Sequence, residues 1–137
     1  MIDVVDGDTI RVALVGRNQR LRYIGIDSPE LGRAGLPAEW QADAATQANR
    51  SLVDGRSVVL ERDVSETDRF GRLLRHVWLQ GDEGWLLVNL EMVRLGFAQA
   101  VTFPPDVKYG ELLREAERDA RAAGRGLWAD PQADVAP

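Results

Sequence analysis

Apolar and polar residues alternate over the first third of the chain, at 2–5, 9–14 and 21–26, with turn formers Asp6-Gly7-Asp8 and Gly16-Arg17-Asn18 between them. A period of two turns one side of each segment to a core and the other to solvent, so these segments predict three strands joined by tight turns. From 38 to 53 the period changes. Ala44, Ala45, Ala48 and Leu52 recur at helical spacing, Pro37 suits a first turn and Asp54-Gly55 a stop, which predicts the first helix. Residues 56–62, with Val58, Val59 and Leu60, and residues 73–79 predict strands four and five, the latter ending at 80–84. A short helix over 88–95 is stopped by Gly96. A longer one over 106–123 carries Tyr109, Leu112, Leu113, Ala116 and Ala120 on one face, and Pro104-Pro105 separates the two. Gly124-Arg125-Gly126-Leu127-Trp128 reads as a helix stop followed by an apolar anchor, and the last residues are expected to fray.

These elements predict a mainly β fold with α (α+β): a five-stranded Greek-key barrel of the OB type with about three helices packed outside. With 137 residues and 45% apolar content, one core is expected. No window approaches the roughly 18 apolar residues of a membrane span. The start lacks the basic and apolar regions of a signal peptide, so the chain as given is expected to be soluble. The absence of cysteine excludes a disulfide and leaves the compartment open.

A net charge of −5 argues mildly against a polyanionic partner, whose affinity rests on Lys and Arg contacts. Sixteen of the seventeen basic residues are Arg, however, and a guanidinium can hold a phosphate bidentately. Genomic base composition accounts for that bias equally well.

The candidate chemistry begins with Asp6 and Asp8 around Gly7. Alone, this is a β-turn. Asp27-Ser28-Pro29-Glu30 follows a β-rich run, where Pro29 biases Ser28 toward an extended conformation; alone, it reads as a cap or loop turn. Together the two segments offer oxygen ligands of the kind calcium takes, with positions left for water and substrate. Magnesium demands tighter geometry, and zinc would normally want His or Cys, of which this chain has one His and no Cys. Arg22 and Arg72 come from different strands, and each alone reads as a solvated strand residue. Arg72 follows Asp68-Arg69-Phe70-Gly71, where the glycine permits a tight turn and a close phosphate approach. Two placed guanidinium groups and a cation would stabilise the charge that gathers on a phosphodiester under attack. Arg22 and Asp27 are five residues apart and would face opposite ways on a regular strand; a bend or bulge at Gly25 would bring them to one side.

Read together with Arg20-Leu21-Arg22-Tyr23, the segments Val5-Asp6-Gly7-Asp8-Thr9, Ile26-Asp27-Ser28-Pro29-Glu30 and Asp68-Arg69-Phe70-Gly71-Arg72 resemble the staphylococcal nuclease (thermonuclease) family in identity, order and spacing. The resemblance runs from about Val4 to Trp128. It implies the same OB fold over 1–129, with 130–137 as a C-terminal tail. It also implies calcium held by the Asp8 and Asp27 carboxylates and the Ser28 carbonyl, Glu30 in the position assigned as general base, and Arg22 and Arg72 on the reacting phosphate. The implied activity is calcium-dependent hydrolysis of DNA and RNA at the 5′ P–O bond, leaving 3′-phosphate ends. Asp6 would support the site from behind the ligands.

Phe70 stands where a tyrosine is often found, and an ungapped alignment puts Thr102 and Pro104 at two later tyrosine positions. Phe103 and Tyr109 are alternative π-faces, with simple packing equally open, and neither is placed in the site. The loop over 31–36 carries only Arg33, so weak nonspecific affinity and a high KM are expected. His76 reads as a strand residue, the four tryptophans as core or core edge, and Arg114, Arg118 and Arg121, interleaved with acids, as a solvated helix face. A monomer is expected. Export to the periplasm or medium is favoured if a leader has been removed from the short first strand. The competing readings are a noncatalytic OB-fold nucleic-acid-binding module and a calcium-stabilised interaction domain; the second leaves Glu30 and the paired arginines without a role.

Overall fold

The structure, a computed structural model, describes residues 3–32 and 35–129. The first strand, β1 (Asp3–Val4), pairs antiparallel with β2 (Thr9–Leu14), which pairs with β3 (Arg17–Tyr23) in a register that sets Thr9 opposite Arg22. Ile2, expected in the first strand, and the tail at 130–137 lie outside the described residues, as does Arg33. In β2 the alternation works as predicted: Ile10 and Val12 are buried while Arg11 and Ala13 face out. The β2–β3 turn falls on Val15-Gly16, not on 16–18. Both residues have positive φ, 51° and 73°, as the hairpin twist requires, and the β-branched Val15 is strained there.

The run expected as one strand over 21–26 is two. Strand β3 ends at Tyr23, Gly25 takes φ 82°, and the chain resumes as β4 (Ile26–Asp27). The first helix, α1 (Ala42–Val53), starts four residues later than the periodicity suggests. The cause is a clamp: the Glu39 amide donates to the Glu30 carbonyl (2.9 Å) while Glu39 Oε1 accepts from the Glu30 amide (2.6 Å), which holds the approach to the helix extended. Helix α1 buries Ala42, Ala45, Thr46, Asn49 and Val53, one helical face.

Next come β5 (Val59–Glu61), β6 (Leu73–Gly81) and β7 (Gly84–Leu87); β6 pairs with both of the others and lies parallel to β3. Strand β7 and the two-residue β8 (Gln99–Ala100), which pairs with β4, escape the periodicity because short strands carry too few alternations. Helix α2 (Val88–Arg94) lies where expected and packs on β6, α1 and α3 (Gly110–Ala123). Helix α3 begins at Gly110, not at 106, because buried Asp106 turns its carboxylate to the Val64 and Ser65 amides (2.9 and 2.7 Å). Leu112 is half exposed, so the buried face is Leu113, Ala116 and Ala120.

The main sheet runs β1-β2-β3-β6-β5, with β7 on β6. Eight short strands replace the five expected, and among the described residues no ladder closes the path into a barrel. The arrangement of sheet plus three helices is nonetheless that of an OB-like fold. Its core joins Ile10, Leu21, Tyr23 and Ile26 to Val77, Val88, Met92 and Leu113. Of the tryptophans expected in the core or at its edge, Trp40 and Trp85 are about half exposed, too open for core residues.

Candidate active site

Asp6-Gly7-Asp8 forms the turn between β1 and β2. A Cβ on Gly7 would lie 2.7 Å from the Ser28 Cβ and 2.9 Å from the Ala45 Cβ, so only glycine lets this turn seat against β4 and α1. The Asp6 carboxylate accepts the Asp8 amide (3.0 Å). The Asp8 carboxylate is buried and takes the Ser28 amide on Oδ2 (2.9 Å) and the Thr9 hydroxyl on Oδ1 (2.9 Å). Behind the turn, the buried Tyr23 hydroxyl donates to Asn49 Oδ1 (2.7 Å), and Asn49 Nδ2 donates to the Asp6 carbonyl (2.8 Å).

The break at Gly25 brings Arg22 and Asp27 to one side. Arg22 Nη2 lies 3.4 Å from Asp8 Oδ2 and 3.6 Å from Asp27 Oδ1, while Nη1 donates to the Tyr23 carbonyl (2.7 Å). Glu30 is exposed, and its backbone is held by Glu39. Burial, then the Asp8 charge and a hydrogen bond shared with Asp8, push the Asp6 carboxyl up to about 7; the Asp8 amide pulls the other way and the Glu30 charge adds to the rise. Burial, followed by the Asp8 charge, also raises Asp27, with Arg22 opposing and Glu30 contributing. Four acids thus feel one another across a small volume.

Ser28 is buried, and its Oγ finds no hydrogen-bond partner among the described residues. No group of three or more His, Cys, Asp or Glu residues placed to hold an ion occurs among the described residues. Any ion here would need backbone oxygen, water or substrate to complete its shell.

Beside this centre opens a cleft of about 410 Å³, lined by Arg22, Gly25, Arg69, Phe70, Arg72 and Phe103, among others. The 68–72 turn forms part of that lining. Asp68 Oδ1 accepts the Phe70 and Arg72 amides (2.9 and 3.0 Å) and Oδ2 accepts Arg72 Nε (2.7 Å), which fixes the guanidinium relative to its own backbone. Phe70 is 69% exposed, with the Arg69 and Arg72 guanidinium groups 4.8 and 5.6 Å from its ring centre. Phe103 faces the cleft, whereas Tyr109 lies elsewhere, its hydroxyl on Glu61 and its ring against His76 and Trp78. His76 is packed in the core, with Nε2 3.0 Å from Asp63.

The model of the staphylococcal nuclease homologue family matches residues 20–130. The chain belongs to the staphylococcal nuclease family. The match spans Arg22, Asp27, Ser28, Glu30 and Arg72, while Asp6 and Asp8 precede it. The chain is 34% identical to the thermonuclease of Staphylococcus intermedius over 125 residues, 91% of this chain and 72% of that protein. It is also 34% identical to the thermonuclease of Staphylococcus hyicus over 130 residues, 95% and 75% of the two chains. With endonuclease YncB of Bacillus subtilis (strain 168) it shares 29% identity over 126 residues, 90% of this chain and 58% of that one.

Of the residues singled out in the sequence, the structure brings Asp8, Arg22, Asp27 and Ser28 into direct or adjacent contact, sets Glu30 where its charge reaches Asp6 and Asp27, and places Arg72 in the lining of the same cleft as Arg22. Sequence reasoning gave Asp68 no role beyond its motif, weighed Phe103 without placing it in the site, and missed Asn49. Asp68 had a local signal, an acid opening a tight turn that ends in glycine. Asn49 had none, because its partners are 26 and 43 residues away.

Proposed function

We propose that this chain, over a domain spanning 1–129, is a calcium-dependent nuclease that hydrolyses DNA and RNA at the 5′ P–O bond and leaves 3′-phosphate ends. The observation that carries the reading is Arg22 held between the Asp8 and Asp27 carboxylates and lining the same cleft as Arg72. Thermonuclease and endonuclease are the names of relatives that match most of this chain.

The donors present fit a hard divalent ion: two carboxylates and the Ser28 carbonyl, all oxygen, among acids of which Asp6 and Asp27 are already raised by burial and then by the Asp8 charge. Asp8, Asp27 and Ser28 would hold calcium, which when bound supplies positive charge beside the attacked phosphate. Arg22 and Arg72 grip the phosphate oxygens from two sides, and their hydrogen bonds strengthen as charge builds on those oxygens. Glu30 takes the proton from the attacking water; the P–O5′ bond breaks as the new P–O bond forms, and the departing 5′ oxygen takes a proton from solvent water. The Phe70 and Phe103 rings offer faces to an adjacent base.

The test is cleavage of single-stranded DNA, duplex DNA and RNA with calcium, with magnesium and with chelator, using Asp8→Ala and Arg72→Ala as controls. Calcium-dependent cleavage lost in both variants is the expected result. Nucleic-acid binding with no cleavage under any condition would refute the catalytic reading and favour a binding module.

A further inference from the structure

Strand β4 is a ridge with a depression on each side: Ile26 lines the arginine cleft, and Asp27 lines a smaller hollow of about 210 Å³ with Glu39, Trp40 and Gln99. Trp40 is 47% exposed although it is the largest apolar side chain in its segment. The backbone around it is fixed. The preceding residue, Glu39, is clamped to Glu30 by two hydrogen bonds. The following residue, Gln41, stands at φ 67°, a left-handed conformation that strains a non-glycine residue, and its side chain reaches the Gly126 carbonyl at 3.4 Å. The turn therefore holds an indole in solvent beside the proposed base, at the cost of strain and of apolar exposure.

Among the described residues, none of the side chains lining this hollow is cationic, so it does not suit a phosphate. An indole face edged by carboxylate and amide groups suits an uncharged heteroaromatic ring with amino and imino donors, which describes a nucleobase. A chain whose phosphate sits at Arg22 runs over the β4 ridge and places one base on each side.

We infer that Trp40 is a stacking platform for the nucleobase flanking the scissile phosphate on the side opposite the Phe70–Phe103 cleft. This rests on the proposed nuclease activity and specifies its substrate as unpaired nucleic acid, because a base held in a duplex stack cannot lie on the indole.

The test compares wild type, Trp40→Ala and Trp40→Phe on a single-stranded oligonucleotide with one cleavable linkage, carrying a base or an abasic sugar at either flanking position. Trp40→Ala should raise KM roughly tenfold with kcat unchanged, and Trp40→Phe should restore most of the loss. Removing one of the two flanking bases should raise the wild-type KM equally and have no further effect in Trp40→Ala. Additive effects, or an unchanged KM in Trp40→Ala, would overturn the platform. A second readout does not depend on cleavage: an oligonucleotide whose scissile 5′ oxygen is replaced by methylene should quench the fluorescence of wild type more than that of Trp40→Phe. Trp40-dependent quenching without cleavage of the natural strand would sink the nuclease reading and keep the platform. Cleavage with Trp40-independent KM and quenching would do the reverse, and the absence of both would remove both.

Discussion

Replacing Asp68 with Asn changes one oxygen to an amide nitrogen and leaves the shape of the 68–72 turn intact. The Asn oxygen can keep the Phe70 and Arg72 amides, but its nitrogen then meets Arg72 Nε–H donor to donor where the carboxylate accepted at 2.7 Å. Burial alone would raise the Asp68 carboxyl; the Arg72 amide and guanidinium and the Phe70 amide outweigh it and hold the group below its usual range, so the charge is present at neutral pH. With Asp68 and Arg72 side chains 16% and 29% exposed, the lost charge-assisted bond is worth about 1.5–3 kcal/mol. That lowers the share of correctly aimed guanidinium by roughly 10–150-fold. The ceiling is the effect of deleting the guanidinium altogether, on the order of 10²–10³ in turnover. Asp68→Asn should therefore reduce kcat roughly 10–100-fold with a smaller change in KM, and should add nothing in an Arg72→Ala background. Steady-state cleavage kinetics with a parallel melting curve measure this. A kcat within about twofold of wild type, alongside an inactive Arg72→Ala, would show that Asp68 does not aim Arg72.

Glu30→Gln should lower kcat by roughly 10² or more with an unchanged melting midpoint, and near-normal turnover would remove the carboxylate base. Tyr23→Phe leaves Asn49 Oδ1 buried and unpaired, a loss of about 1–3 kcal/mol that lowers the midpoint by roughly 3–10 °C in thermal unfolding; an unchanged midpoint would mean that Asn49 has re-paired. For Glu61, burial alone would raise the carboxyl, but hydrogen bonds from Lys108, Trp78 and Tyr109 bring it from 4.5 down to about 2. Its contribution is full above about pH 4.5 and is lost as pH falls through about 2, so Glu61→Gln should flatten the acid limb of stability by less than about 1 kcal/mol, read from urea midpoints. Calcium at 100 times its Kd should stabilise wild type by about 2.7 kcal/mol and Asp8→Ala hardly at all; equal stabilisation of both would place the ion elsewhere.

The acidic pair, the two arginines and Glu30 were legible because each sits in a short motif at a strand end, where turn chemistry and residue type are local properties. Strand β2 and helix α2 were legible for the same reason, since their periodicity is complete within the element. The start of α1 was not, because helical spacing from Ala38 onward is real but is overridden by the clamp between Glu39 and Glu30, a contact across nine residues. The same holds for Asp106, whose amide partners over forty residues away keep it out of α3. Gly25 was a legible break, and it resolved the facing of Arg22 and Asp27 as expected. Residue type puts Trp40 in the core or at its edge, and only the fold shows that its turn leaves it half exposed.

The arginine bias of the composition meant less than it suggested. Arg11 is spent on Asp3, Arg62 and Arg75 on Glu66, Arg94 on Glu91, and Arg121 on Glu117 and the Trp128 ring. These guanidinium groups pair with the chain's own carboxylates, and the net charge of −5 follows from the count, 22 acidic residues against 17 basic ones. The arginines that line a concave surface together are Arg22, Arg69 and Arg72. A strand of nucleic acid therefore meets attraction over two or three phosphates, not along its length. Because counterion release scales with the number of phosphates neutralised, its affinity should depend only shallowly on salt. The net charge, taken in the sequence as a mild objection to a polyanionic substrate, extends to the cleft as well, where Asp68 and Asp106 stand among the arginines, so phosphate binding there is a matter of local placement. What decides phosphate binding is which cations the fold gathers at one concave surface, and here Arg22 and Arg72 line the same cleft, the first oriented by Asp8 and Asp27 and the second by Asp68.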